Sequence, residues 1–233
     1  MAISFCQKAC LPATQRKPIE LHKANPFGGL LAMARFPINL PLLAAFFLNS
    51  FAQRGLESIW VLYTDFRFDW SVLAGSWSLA YVGLISAMVQ GGLVRLVVPR
   101  LGEARTVIIG LSIAAVSGFG FAFTSNGFWA VPVIGFYVLG YDLAGPALRS
   151  LISGPFDAGQ QGLLQGVMGC LNGLAGIGGP FVASMVLADI SGNDPVINFP
   201  GLYFFGGACV LLGTTLMVTI SLGRFTPKRQ TAE

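Results

Sequence analysis

The sequence predicts an all-α membrane protein with six transmembrane helices. Three observations predict it. Six apolar stretches of spanning length fill residues 37–223 almost without a break, charged residues make up only 10% of the chain, and glycine is abundant at 30 residues. The hydrocarbon core of a bilayer is about 30 Å thick, so a helix rising about 1.5 Å per residue needs roughly 20 apolar residues to cross it. A water-soluble domain of this length would need far more charged surface. Backbone groups in lipid must bond internally, and the turn chemistry gives no sign of a closed barrel, so the stretches read as helices.

The first stretch, 37–63, is interrupted by polar residues: Asn49, Gln53, Arg54 and Glu57. The second, 72–94, carries Gln90, and the third, 106–124, has no charged residue. The fourth, 128–153, contains Asp142 and Pro146; the fifth, 162–188, is rich in glycine; the sixth, 200–223, is almost wholly apolar. Short connectors favour a compact antiparallel bundle forming one domain over 37–223. Residues 1–36 read as a cytoplasmic linker and 224–233 as a cytoplasmic tail. The stretch from Met1 to Lys23 is too polar for a signal peptide.

Basic residues sort between the two ends. Lys8, Arg16, Lys17, Lys23 and Arg35 precede or open the first helix, Arg95, Arg100 and Arg105 follow the second, Arg149 closes the fourth, and Arg224, Lys228 and Arg229 follow the sixth. The opposite connectors hold Arg67 among Asp65, Asp69, Asp189 and Asp194. The positive-inside rule therefore places both termini in the cytoplasm, as an even number of spans requires. The net charge of +4 reflects this asymmetry, and the lipid bilayer rather than nucleic acid is the expected partner. Trp60, Trp70, Trp77 and Trp129 suit an interfacial belt.

Each charged group at membrane depth can be weighed singly. Arg54 and Glu57, three residues apart, share one helix face. They form either a self-neutralising pair from which the arginine snorkels, or a pair facing an aqueous cavity where substrate is met. An unpaired charge at the centre costs about 2.5–3.5 kcal/mol, so pairing is expected in both cases. Asp142 lies within Gly140-Tyr-Asp-Leu-Ala-Gly-Pro146. Pro146 has no N–H, which leaves the Asp142 carbonyl without its i+4 partner. An acid beside a freed carbonyl is either a proton or cation site or a neutral acid hydrogen-bonded within the bundle.

The fifth helix carries Gly162, Gly166, Gly169, Gly173, Gly176 and Gly179, read as one smooth stripe for close helix packing. That packing is either within the six-helix unit or against a second unit. Gln161, Gln165 and Asn172 add hydrogen-bonding groups beside it, and Gly179-Pro180 is expected to bend or break the helix.

Enzymatic classes fit poorly. The sole histidine, His22, lies in the N-terminal tail, so an intramembrane serine protease has no base and a metalloprotease no ligand set. Cys6 and Cys10 with His22 make a poor zinc site, and Cys170 and Cys209 lie inside helices, so all four read as free thiols. No phosphate-binding glycine loop followed by Lys-Ser/Thr is present. No cofactor or metal is expected.

Several segments match one family in order. Gly91-Gly-Leu-Val-Arg-Leu-Val-Val-Pro-Arg-Leu-Gly-Glu-Ala-Arg105 resembles the loop between the eighth and ninth helices of major facilitator transporters. Trp60-Val-Leu-Tyr-Thr-Asp-Phe-Arg-Phe-Asp-Trp70 resembles the external end of the seventh helix in tetracycline–proton antiporters. Gly145-Pro-Ala-Leu, Gln160-Gln-Gly-Leu-Leu-Gln-Gly166 and Gly179-Pro180 are similar to that family's tenth and eleventh helices, and Leu11-Pro12 with its basic neighbours to its central loop. The resemblance covers nearly the whole chain. It implies one half of a major facilitator fold, equivalent to helices seven to twelve, in a bacterial inner membrane.

By that resemblance the chain takes part in proton-coupled efflux of a drug or other small amphipathic compound. The passage would be lined by Gln53, Arg54, Glu57, Gln90, Asp142, Gln165 and Asn172. Gly92, Arg100, Gly102, Glu103 and Arg105 would form the cytoplasmic gate, where glycine permits a tight turn. The family's eleventh helix lies between halves, so the stripe would meet a second six-helix half or a second copy. The alternative is an inactive remnant. Two positions depart from the family: Arg54 stands where it has glutamine, and Ala114 where it has an intramembrane aspartate. Asp142 would supply the acid instead.

Overall fold

The computed structural model describes residues 39–154, 156, 161–192, 196–197 and 199–225. The linker with Cys6, Cys10, His22 and Leu11-Pro12, the tail beyond Phe225, and Gln160 and Asp194 lie outside the described residues. Among those described there is no strand. The helices are α1 (Asn39–Phe68), α2 (Val72–Leu101), α3 (Glu103–Phe123), α4 (Gly127–Ser153), α5 (Gln161–Ile190) and α6 (Leu202–Phe225).

Five of them, α2 to α6, are long and apolar enough to cross a membrane. α1, the first of the six expected spans, differs from the other five in composition. It is 30 residues long, ample for a span, but Asn49, Ser50, Gln53, Arg54, Glu57 and Ser58 on successive turns dilute its apolar character. Such a helix suits a bundle in which neighbours or water take up the polar face.

Two further boundaries differ from expectation. α1 runs on to Phe68 rather than ending near residue 63, which puts Arg54 and Glu57 close to its middle. The second helix does not stop near residue 94. A π-helical turn, Val89–Leu93, absorbs Gly91 and Gly92, and the helix continues through Pro99 to Leu101. The tight turn falls at Gly102 instead, with φ +78° and ψ 158°, backbone space open essentially to glycine alone. Pro146 and Pro180 are accommodated without a break: α4 and α5 each run continuously past them.

The bundle is built on close backbone approach and an aromatic cluster. α3 and α4 meet at Gly110 and Gly140, where a Cβ added to either glycine would come within 2.6 Å of the other's carbonyl oxygen. α1 and α5 meet at Gly55 and Gly179, where a Cβ on Gly179 would sit 2.6 Å from the Phe51 carbonyl oxygen. Small residues at such crossings let helices pack in lipid, where no hydrophobic drive exists between them. At the Arg67 end, Trp60, Tyr63, Phe68, Phe121 and Phe204 tie α1, α3 and α6 together, with the Phe121 and Phe204 rings 4.2 Å apart.

Trp60 is therefore not an interfacial anchor. It is 4% exposed, and its indole N–H donates to Ser78 Oγ at 2.8 Å, joining α1 to α2. Trp77 and Trp129 are exposed on the apolar surface as a belt would require, and Trp70 is half-buried beside Phe68. Arg67 lies across the end of α3 and donates to the carbonyls of Ala122 and Thr124, with its closest N–H···O contact at 2.8 Å. Those are last-turn acceptors with no intrahelical donor of their own.

Candidate functional site

A polar seam runs along α1 where it faces α4. Asn49, Gln53 and Glu57 follow one another at i+4 steps, so they stack on one face, with Ser50 and Arg54 one position round. Arg54 Nη1 donates to Glu57 Oε2 at 3.1 Å and Gln53 Nε2 to Glu57 Oε1 at 3.1 Å. The ion pair is open: its side chains are 47% and 51% exposed. Across from it, the Tyr137 hydroxyl donates to Gln53 Oε1 at 3.5 Å, and Tyr141 lies nearly parallel to Tyr137 one turn further along α4.

Two cavities line this seam. One of about 50 Å³ is walled by Gln53, Glu57, Trp60 and Tyr137. The other, about 130 Å³, lies among Phe46, Asn49, Gln90, Tyr141, Asp142 and Arg149. Asp142 is half-buried, and its Oδ2 has no hydrogen-bond partner among the described residues; the same is true of Asn49 Oδ1. The Arg149 guanidinium makes no ion pair with Asp142. It rests 5.7 Å from the centroid of the Phe46 ring. Pro146, one turn beyond Asp142, gives the Asp142 carbonyl no N–H.

The expected lining residues thus separate into groups. Gln53, Arg54 and Glu57 form one bonded cluster, and Gln90 joins Asp142 at the second cavity. Gln165, exposed, and Asn172, half-buried, stand on α5 and make no hydrogen bond among the described residues. Asn49, Tyr137, Tyr141 and Arg149 belong to the site although sequence reasoning did not place them in it. The i+4 spacings of Asn49 with Gln53 and of Tyr137 with Tyr141 were the available signal. Ala114, at the position where the resembled family has an acid, is fully buried in α3.

At the opposite end, Gly102 ends α2 and Glu103 opens α3. The Ser150 hydroxyl of α4 donates to the Glu103 carboxylate, fastening the connector to α4. Arg100 and Arg105 on either side are exposed. Gly91 and Gly92 have open space about them.

The glycine stripe is not what packs the unit together. Among the described residues nothing comes within reach of a Cβ added to Gly162, Gly166, Gly169, Gly173 or Gly176, and all five are exposed. Gly179 is off that face and buried against α1. Two consecutive i+3 steps from Gly173 each fall about 60° short of a full turn, which carries Gly179 round to the α1 side.

Apolar helices of spanning length, packed through buried small residues, define a multi-pass membrane protein. The family model for the Major Facilitator Superfamily matches residues 10–180, and the chain belongs to that family. It is 28% identical over 174 residues to the class C tetracycline resistance protein of Escherichia coli, covering 75% of this chain and 44% of that protein. It is 30% identical over 206 residues to the class D tetracycline resistance protein of Salmonella ordonez, covering 88% and 51%. It is also 26% identical over 222 residues to the human Hippocampus abundant transcript 1 protein, covering 86% and 45%. The chain spans about half the length of these relatives.

Proposed function

We propose that this chain forms one six-helix wall of a major facilitator exporter for a small amphipathic compound, working by alternating access against a second six-helix unit. The observation that carries the reading is the Arg54–Glu57 pair, about half exposed near the middle of α1. Facing acyl chains, such a pair would cost several kcal/mol. Facing a wet passage between two bundles, it costs little and can exchange partners with a solute. Gln53, Gln90 and Asp142 extend the lining on the same side of α1, and Gln165 and Asn172 would contribute from α5. Asp142 is the proton-carrying group in this reading, standing in for the acid that Ala114 does not supply. Arg100, Gly102, Glu103 and Arg105, with Gly92 in the π-helical turn above them, would form the cytoplasmic gate. Both termini would then face the cytoplasm of a bacterial inner membrane. The names of the tetracycline resistance proteins make a tetracycline the first solute to try.

The test is uptake of a fluorescent tetracycline into inverted vesicles carrying the chain alone, or the chain with a candidate N-terminal six-helix partner. Gradient-driven accumulation that disappears in Glu57→Gln supports the reading. No accumulation in either preparation, with no second unit co-purifying, identifies an inactive remnant. Proton coupling is checked separately: Asp142→Asn should lose dependence on the pH gradient, and full dependence in that variant removes Asp142 from the mechanism.

A further inference from the structure

We propose that the cavity between α1, α2 and α4 is a binding site for an organic ammonium group, with Asn49 and Asp142 as its acceptors. Asn49 is 3% exposed, and its Oδ1 is buried without a donor. Asp142 Oδ2 is in the same condition. Both residues line one cavity of about 130 Å³. A buried acceptor left unpaired costs about 1–3 kcal/mol, more where it is charged, so two beside one cavity call for a ligand rich in N–H donors.

The rest of the wall narrows the class. Phe46 and Tyr141 present aromatic surface, which attracts an ammonium and accommodates an organic body. Calcium takes about six to eight oxygens and structural zinc about four ligands, but among the described residues no three His, Cys, Asp or Glu gather to hold a metal ion. Arg149 shows that the site tolerates a nitrogen cation: its guanidinium lies 5.7 Å from the Phe46 ring centroid yet bonds to neither orphaned oxygen. Arg149 is thus a resident competitor at the ring, and an incoming ammonium takes the two acceptors that Arg149 leaves vacant.

This deepens the transport reading by naming a solute class for one part of the passage, but it is tested by binding alone. Purified chain in lipid nanodiscs is titrated with benzylammonium chloride by calorimetry, with benzyl alcohol as the neutral counterpart. Asp142→Asn should weaken benzylammonium by about tenfold or more. Arg149→Gln and Asn49→Asp should each tighten it several-fold, gains that a misfolded protein cannot give; benzyl alcohol should not displace it. The site is overturned if wild-type protein does not bind benzylammonium, if benzyl alcohol competes equally, or if Asp142→Asn and Arg149→Gln both stay within twofold of wild type. Binding without any vesicle transport would sink the transport reading and leave the site standing.

Discussion

Arg67 is the one basic residue among the acidic connectors at its end of the molecule, and its geometry explains the exception. Its guanidinium takes the carbonyls of Ala122 and Thr124, so a cation sits at the negative end of the α3 dipole and holds α1 to α3. Replacing it with methionine keeps the stem and deletes charge-assisted bonds worth roughly 1.5–3 kcal/mol together with their partners' desolvation. Arg67→Met should lower the unfolding free energy in detergent by that order, and an unshifted transition would show those carbonyls satisfied in another way. Gly102 is the second residue fixed by local physics. With φ at +78° and ψ at 158°, any side chain there is strained by about 1–3 kcal/mol although space is open around it. Gly102→Ala should therefore destabilise the α2–α3 connector. Faster amide exchange at Glu103 to Thr106 would register it, while unchanged protection would mean that the turn relaxes at no cost.

Between helices, the position of a glycine decides its effect. Gly140 meets the Gly110 backbone across α3 and α4, so Gly140→Val must push two fully packed helices apart. Overpacking of that kind costs about 1–3 kcal/mol or more. Gly169→Ala, on the open face of α5, should leave the melting transition of the isolated chain unchanged or slightly raised, because alanine favours helix by about 1 kcal/mol. Melting curves of the two variants side by side check the contrast, and equal losses would refute it. The sequence distinguished these two classes only in part. Helix number was legible because stretch length and connector spacing set it, even for the more polar α1, and the shared face of Arg54 and Glu57 because three residues make nearly a turn. The end of α2 was not, since Gly91-Gly92 reads locally as a turn while the helix carries them in a π-helical bulge on to Leu101. Trp60 was misplaced because its burial depends on Ser78 of another helix. The membership of Asn49, Tyr141 and Arg149 in one cavity is likewise a product of how α1 and α4 cross, which no single segment encodes.

At the scale of the molecule, the polar seam of α1 and the uncovered glycine face of α5 pose the same physical question: what fills the space beside them. Lipid satisfies a glycine face poorly, since acyl chains leave gaps that a helix backbone would close, and it satisfies the half-exposed Arg54–Glu57 pair worse. In the proposed reading a second six-helix unit, whether another copy or a separate chain, would answer both, because it would close a wet passage on one side and pack on α5 on the other. That account separates stability from assembly. Gly169→Leu with Gly173→Leu adds bulk only where none of the described residues is near, so the isolated protein should melt as wild type does. The same double variant should abolish the cross-linked dimer, or the co-purified partner, in native lipid. If assembly survives both leucines, α5 faces lipid and the second unit must be sought along α1, where the exposed Arg54 and Glu57 mark the other open margin.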